Sequence, residues 1–190
     1  MKNSLFFFFL SFFIYLAGNT QQLQVEQGIS NKFEVLHSDY QILHFSISLA
    51  ELNSFVVKHK TGYYNQLTVE GYGLSLDVGN PGLPVMKKLI EVPEGAVIHY
   101  SVIREEYRVI DLAESGIVHP LFPAQPPVSK SIDNPDELPF EKNDITYQTN
   151  GWFGFDPVNV EMLGKMRGVN LARLEVAPLQ YNPVQHTIRI

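Results

Sequence analysis

The stretch Leu43-His44-Phe45-Ser46-Ile47-Ser48-Leu49 alternates strictly between apolar and polar residues. Successive side chains of a β-strand point to opposite faces, so this pattern predicts a strand with one buried face. The segments 67–69, 86–92, 96–102, 107–110, 169–176 and 184–190 are further strand candidates.

Turn residues separate these candidates. Pro93-Glu94-Gly95 lies between 90–92 and 96–102 and predicts a tight hairpin, while 79–82 and Asn182-Pro183 mark further turns. Many short strands with frequent turns predict an all-β fold. We expect an antiparallel β-sandwich, jelly-roll-like, with at most one or two short helices.

One segment carries a helix signal. Ser48 and Glu51 have the spacing of a capping box and predict a helix over 49–59. The β-branched pair Val56-Val57 favours a strand there instead.

Residues 1–18, MKNSLFFFFLSFFIYLAG, have the charged start, apolar centre and small-residue end of a secretory signal peptide. The apolar run 5–16 is shorter than the roughly 20 residues that a membrane-spanning helix needs, which argues against an anchor. We therefore expect a signal peptide at 1–18, a flexible lead-in at 19–32 and a β-sandwich domain at 33–190.

The charge and the cysteine count exclude several classes of protein. The 190 residues hold 14 Lys and Arg against 20 Asp and Glu, a net charge of -6, and no basic cluster for binding nucleic acid. Cysteine is absent, so these residues contain no disulfide, no thiolate metal site and no cysteine nucleophile.

Residues 120–139 contain six of the 12 prolines. Proline cannot donate to a strand ladder, so this stretch predicts a long, exposed and stiff loop. Such loops often carry function, although a plain connection between two sheets is an equal alternative.

Candidates for chemistry are few. The six histidines have no metal-binding spacing, and neither a GxSxG elbow nor a phosphate loop occurs. The oxygen-rich run 133–137 could suit calcium but lacks the spacing of an EF-hand, so a solvated acidic loop is favoured. The aromatic run 152–155 either contacts a sugar or closes one end of the sandwich. These residues favour a binding or inhibitory domain over an enzyme.

Two ordered motifs are more specific. The first is Gly79-Asn80-Pro81-Gly82-Leu83-Pro84-Val85, continued by Ile90-Glu91-Val92-Pro93-Glu94-Gly95-Ala96. The second is Arg167-Gly168, followed by Leu174-Glu175-Val176-Ala177-Pro178-Leu179-Gln180-Tyr181-Asn182-Pro183. Together they resemble the propeptide domain of gingipain-type cysteine peptidases over roughly residues 30–190. The resemblance assigns structural roles to Gly79, Pro81, Leu83, Pro84, Pro93, Gly95, Arg167, Gly168, Pro178, Tyr181, Asn182 and Pro183.

The resemblance implies a β-sandwich propeptide placed between a signal peptide and a caspase-like catalytic domain. Such a propeptide assists folding and keeps the protease latent during export by the type IX route of Gram-negative bacteria. The precursor would be a cysteine endopeptidase, whereas this chain would be no enzyme and would need no cofactor. The implied partners are the catalytic domain, in cis or in trans, and the export machinery. The implied location is periplasmic, cell-surface or extracellular.

In the family that this chain resembles, a basic propeptide residue occupies the S1 pocket of the protease. Lys130, in the proline-rich stretch, is the candidate here, and a solvated loop lysine is the alternative. Arg104, Lys142 and Arg167 are second choices, and we expect Arg167 to be structural because it precedes the turn at Gly168.

The strand pattern 184–190 runs to the last residue, so we expect a domain truncated at its C-terminal end. Two other functions stay open at this point. One is a secreted carbohydrate- or surface-binding module that uses Trp152, and the other is the N-terminal domain of a gingipain-like sortase.

Overall fold

The computed structural model describes residues 20–26, 29–129 and 138–190. In this part of the chain it contains twelve strands and one helix, α1, at Asp144–Gln148. The strands are β1 Gln21–Gln24, β2 Lys32–Ser38, β3 Leu43–Ser48, β4 Glu51–His59, β5 Gly62–Thr68, β6 Gly73–Leu74, β7 Pro84–Val92, β8 Val109–Asp111, β9 Val158–Met166, β10 Val169–Val176, β11 Gln180–Asn182 and β12 Thr187–Arg189.

The strands form four sheets with the orders β1-β4-β5, β6-β7-β10-β9, β11-β12-β8 and β2-β3. All of these strand pairs are antiparallel. The predicted all-β antiparallel fold with a short helix is therefore confirmed.

The main core lies between two of these sheets. Leu52 and Leu67 from β1-β4-β5 pack with Tyr181 and Ile188 from β11-β12-β8 in one cluster of buried side chains. Leu121, at the start of the proline-rich stretch, belongs to the same cluster and is fully buried. Two sheets that cover a shared apolar layer make a sandwich, because each sheet can bury only one of its faces.

A smaller core lies between the other two sheets. Phe33 and Phe45 of the β2-β3 hairpin stack with ring centroids 5.1 Å apart and pack against Met86, Leu174 and Val176 of the four-stranded sheet. The half-buried Tyr72 packs against both clusters. The first core is larger and better buried, so it is the main source of stability.

The expected helix over 49–59 is wrong. Those residues form β4, which pairs with β1 on one side and with β5 on the other. Leu52 and Ser54 are buried while Asn53 and Phe55 are more exposed, so the first half of this strand uses its alternation to bury one face. Tertiary pairing and the β-branched pair outweigh the capping-box signal.

The expected hairpin at 93–95 is only half correct. The turn forms, with Ala96 N donating to Pro93 O at 3.2 Å, but residues 96–102 form no strand. Val97 and Tyr100 are 77% and 54% exposed, so the alternation there buries no face. β7 pairs with β10 over residues 86–92 instead.

Other strand predictions are confirmed with shifted bounds. The segments 43–49, 86–92 and 169–176 lie in β3, β7 and β10, whereas only 187–189 of the segment 184–190 is a strand. The reason is that the preceding residues form the turn between β11 and β12.

The segment expected to be a flexible lead-in contains β1, in which Leu23 is buried against the main core. Pairing with β4 places this strand in the sheet. The predicted signal peptide at 1–18 lies outside the described residues. No helix in the described part of the chain is long and apolar enough to cross a membrane.

Candidate functional site: the base of the proline-rich loop

The proline-rich segment starts on a buried asparagine of β5. Asn65 N donates to Pro120 O at 2.9 Å, and Phe122 N donates to Asn65 O at 2.8 Å. The side chain of Asn65 accepts from His119 N at 3.0 Å and donates to Ser54 Oγ at 3.0 Å. Asn65, which is 4% exposed, thereby attaches the start of this segment to the sheet β1-β4-β5.

The turn at 79–82 holds the next part of the segment. Gly79 N donates to Ala124 O and Ala124 N donates to Asn80 O, both at 2.8 Å. Gly82 N donates to Phe122 O at 2.9 Å. The start of the first motif, residues 79–82, therefore holds residues 122–124 through backbone hydrogen bonds.

Gly79 also receives the chain as it returns from the loop. Asn143 N donates to Gly79 O at 2.8 Å, and Asn143 Nδ2 donates to Asn80 Oδ1 at 3.0 Å. Gly79 has a φ of 84°, and a Cβ there would lie 3.2 Å from Asn143 N. Both the left-handed backbone and the close approach require glycine.

A side-chain amide joins the two ends of the loop directly. Gln125 Nε2 donates to Glu141 O at 2.7 Å, and Glu141 N donates to Gln125 Oε1 at 3.0 Å. Gln125 Nε2 also lies 3.0 Å from Pro123 O. We call this pair of bonds between Gln125 and the Glu141 backbone the loop clamp.

Aromatic side chains pack beside the clamp on the returning chain. The ring centroid of Phe140 lies 4.2 Å from that of His59. It lies 5.6 Å from the centroid of Tyr64 and 5.7 Å from that of Phe122. These contacts tie the exit of the loop to β4 and β5.

Helix α1 follows the loop and completes its base. Asn143 is the N-cap, and its side chain accepts from Thr146 N at 3.3 Å. Tyr147 Oη donates to Leu121 O at 2.6 Å, and burial raises the pKa of Tyr147 above its ordinary value. The hydroxyl therefore stays protonated and keeps this bond at every physiological pH.

Lys130, the proposed S1 residue, lies outside the described residues, as does the calcium candidate 133–137. The loop clamp joins Gln125, which precedes these residues in the chain, to Glu141, which follows them. Among the residues described, no group of three His, Asp or Glu side chains has the geometry of a metal site.

The second-choice residues lie in three different places. Lys142 sits at the loop base, where Nζ contacts Asp144 at 2.5 Å and lies 4.8 Å from the ring centroid of Tyr147. Arg104 is exposed in the segment after β7 and pairs with Glu106.

Arg167 and Gly168 form the two-residue turn between β9 and β10, with φ of 51° and 88°. Two successive positive φ values are what a type I′ hairpin turn needs.

The end of the second motif is buried structure. Tyr181 is fully buried, and its hydroxyl lies 2.8 Å from His186 Nδ1, whose Nε2 donates to Ile117 O at 2.6 Å. Asn182 Nδ2 donates to Asn150 Oδ1 at 2.8 Å. The remaining motif positions are also structural. Pro81, Leu83 and Pro84 are buried, and Pro93, Pro178 and Pro183 are half-buried. Gly95 has a positive φ of 75° in its turn.

The aromatic run 152–155 borders a pocket of about 130 Å³ that Asp77 and Asn80 of the loop base also line. The guanidinium carbon of Arg189 lies 5.2 Å from the ring centroid of Trp152, so part of this ring is already covered. Backbone bonds join Phe153 to Tyr181, which ties this run to the end of the main core.

No pattern in the local sequence marks Gln125, Asn65 or Asn143 as a functional residue. Gln125 precedes two prolines and looks like an ordinary turn residue, and each of the three side chains has a partner that is distant in the chain. The one available signal was Asn80 together with the glycines of the first motif.

Comparison with known proteins places the chain in a family. Residues 24–190 match the family model Propeptide_C25, the model of a propeptide domain. Lys-gingipain and Lys-gingipain 381 of Porphyromonas gingivalis are each 36% identical over 145 residues, which are 76% of this chain. The chain spans only 8% of the length of these relatives.

Two solved structures share the fold. The structure described as giving insight into the zymogenic latency of gingipain K from Porphyromonas gingivalis has a TM-score of 0.83 at 30% identity, covering 90% of this chain and 93% of that one. A complex of Porphyromonas gingivalis RgpB pro- and mature domains has a TM-score of 0.69 at 21% identity, covering 83% and 79%. With most of its length matched, the chain belongs to the Propeptide_C25 family and is a gingipain-type propeptide domain, a non-catalytic region.

Proposed function

We propose that this chain keeps a gingipain-type cysteine peptidase latent by placing Lys130 in the S1 pocket of the catalytic domain, and that it assists the folding of that domain during export. The observation that carries this proposal is the loop base. It holds the two ends of the proline-rich loop together through the Gln125–Glu141 bonds and the turn at Gly79.

The loop base favours inhibition because it lowers the conformational entropy that the chain loses on binding. A loop whose ends are already fixed loses less conformational entropy when its tip enters a pocket. Pro126 and Pro127 directly follow the clamp residue and restrict the backbone further.

A lysine suits the proposed contact. Its side chain is long, and its ammonium group gains a strong charge-assisted hydrogen bond when it meets a buried carboxylate. The name of one relative, Lys-gingipain, is consistent with a pocket for lysine in the partner.

The proposed setting is outside the cytoplasm. The amino-terminal pattern of residues 1–18 supports a signal peptide and export, with the periplasm, cell surface or medium as the destination. The precursor as a whole would then be an endopeptidase.

The direct test measures inhibition of mature Lys-gingipain by the purified chain, using a peptide substrate. We expect Lys130→Ala to raise the inhibition constant at least about 30-fold, equivalent to roughly 2 kcal/mol, because it removes a charged group from a buried pairing.

Lys142→Ala is the matched control at the same loop base. Its ammonium group is engaged by Asp144 and Tyr147, so we expect the inhibition constant to change less than about threefold. An unchanged constant for Lys130→Ala would remove Lys130 from the mechanism. A wild-type chain that fails to inhibit at micromolar concentration would overturn the function itself.

A further inference from the structure

We propose that residues 97–103 are a second docking surface for the catalytic domain, and that this domain adds a β-strand to them. The segment belongs to the connection between β7 and β8, separate from the proline-rich loop. This inference rests on the proposed function, and it names a further surface through which the same inhibitor meets the peptidase.

The segment has the composition of a strand but pairs with no described residue. Most of its residues are β-branched or aromatic, namely Val97, Ile98, Tyr100, Val102 and Ile103. The chain makes no turn or bend at 97–102, and no backbone–backbone hydrogen bond joins 97–107 to any other described residue. Its N–H and C=O groups are therefore open, as they are on the free edge of a sheet.

The apolar side chains of the segment are exposed as well. Val97 and Ile103 are 77% and 79% exposed. Single exposed apolar side chains occur on most protein surfaces, but here they coincide with an unbonded backbone. The exposed Leu89 shows the difference, because its backbone lies in β7 and pairs with Arg173 of β10. Within the described chain, residues 97–103 leave both their polar backbone and their apolar side chains without a partner.

The segment also lacks the features that keep free strand edges from pairing. β9, at the edge of its sheet, carries Glu161 and Lys165 and has an irregular register opposite Leu171 and Ala172. Charges and bulges of this kind discourage an incoming strand. Residues 97–103 contain no Asp, Glu, Lys, Arg or Pro. An incoming strand therefore meets no charged side chain that it has to desolvate.

Both ends of the segment are fixed to the body of the domain. Before it, β7 ends at Val92, and Ala96 N donates to Pro93 O at 3.2 Å. After it, Arg108 and Ile190 exchange two backbone bonds of 2.8 and 3.0 Å. A segment that is held at both ends loses less conformational entropy when a partner binds it.

A line of neighbouring side chains connects the end of this connection to the loop base. The guanidinium carbon of Arg189 lies 5.1 Å from the ring centroid of Tyr107 and 5.2 Å from that of Trp152. Trp152 lines the same pocket as Asn80, whose carbonyl accepts from Ala124 N at 2.8 Å. A peptidase seated on the proline-rich loop can therefore extend along this line to the segment.

The size of inhibitor interfaces favours the peptidase as the partner. A protease and its protein inhibitor each bury about 800 Å² in their complex. One lysine in a pocket supplies only a small part of that area. The peptidase therefore needs further surface on the propeptide, and residues 97–103 offer both apolar contact and main-chain bonds.

Residue-resolved hydrogen exchange tests the main-chain bonds. It compares the free chain with its complex with mature Lys-gingipain whose catalytic cysteine is replaced by alanine. Successive N–H groups of a strand point to opposite sides, so a strand added on one side bonds every second one. We expect at least about tenfold slower exchange at alternate amides of 97–103 in the complex. Protection of none of these amides, or of all of them alike, would overturn strand addition.

Tyr100→Ala tests the side-chain contact, and Tyr40→Ala is its matched control. Both tyrosines are exposed, and Tyr40 lies in the connection between β2 and β3. We expect Tyr100→Ala to raise the inhibition constant for mature Lys-gingipain at least about tenfold and Tyr40→Ala less than about twofold, because tyrosine is a frequent hot spot of interfaces. Both variants should melt like wild type, since neither ring is buried. Equal inhibition constants for the two variants would contradict the docking surface.

The outcomes separate this inference from the proposed function. If wild type inhibits while the segment stays unprotected and Tyr100→Ala inhibits equally well, the docking surface is wrong and the proposed function stands. If the free chain is a dimer in which these amides are already protected, a second copy covers the segment and the docking surface is also wrong. A wild-type chain that neither binds nor inhibits overturns the proposed function, and the docking surface fails with it.

Discussion

Asn65 illustrates how a single polar side chain organises the site at the scale of one residue. Its amide bonds His119 N and Ser54 Oγ, and its backbone bonds Pro120 and Phe122. Asn65 is 4% exposed, so its bonds are shielded from water in the folded chain and losing them costs stability.

We expect Asn65→Ala to lower the free energy of unfolding by about 1–3 kcal/mol, because it leaves the half-buried N–H of His119 and the buried hydroxyl of Ser54 without their partner. Urea denaturation followed by tryptophan fluorescence measures the change. Asn53→Ala, on the neighbouring strand but half-buried, is the comparison and should cost less than about 1 kcal/mol. Equal losses would show that the bonds of Asn65 add no stability.

At the scale of elements, the turn at 79–82 is the junction of the candidate site. It lies between β6 and β7 and binds both the entering chain at Ala124 and the returning chain at Asn143. Proline and glycine in this motif therefore do more than end a strand. They leave the backbone of the turn open for two other segments to bond.

Gly79→Ala should destabilise the chain more than Gly95→Ala. Both glycines have positive φ, 84° and 75°, so alanine costs each of them about 1–2 kcal/mol of backbone strain. A Cβ at position 79 also meets Asn143 N at 3.2 Å, whereas nothing lies within 4 Å of one at position 95. The difference between the two melting temperatures therefore isolates the contact, and identical shifts would contradict this assignment.

At the scale of the whole molecule, the two cores are unequal. The sandwich of β1-β4-β5 and β11-β12-β8 is filled by fully buried side chains, whereas β2-β3 covers the smaller core with half-buried ones. A two-stranded sheet with few buried contacts is expected to open without global unfolding.

Native-state hydrogen exchange should show this division. We expect amides of β2, Lys32–Ser38, to exchange faster than amides of β5, Gly62–Thr68, at all denaturant concentrations below the unfolding transition. The same protection in both strands would mean that the two cores unfold as one unit.

Much of this architecture follows from local sequence. The alternation at 43–49 predicts β3 because the period of side chains on a strand is two, and Arg167-Gly168 predicts a turn because glycine tolerates positive φ. The ordered motifs around Gly79 and Tyr181 resemble the family to which the chain belongs. Local signals failed where two of them competed, as at 49–59, and where an alternating segment has no face to cover, as at 96–102.

The sequence by itself determined the strand-rich fold and the family, because these depend on backbone preferences and on motifs read along the chain. Only the tertiary structure decided that β4 is a strand. The reason is that β4 makes backbone hydrogen bonds to β1 on one side and to β5 on the other, and a helix over these residues would lose them. It also decided that Gln125 reaches Glu141 and that Gly79 meets both Ala124 and Asn143. These contacts join residues far apart in the chain, and their energy appears only when the sandwich brings the segments together.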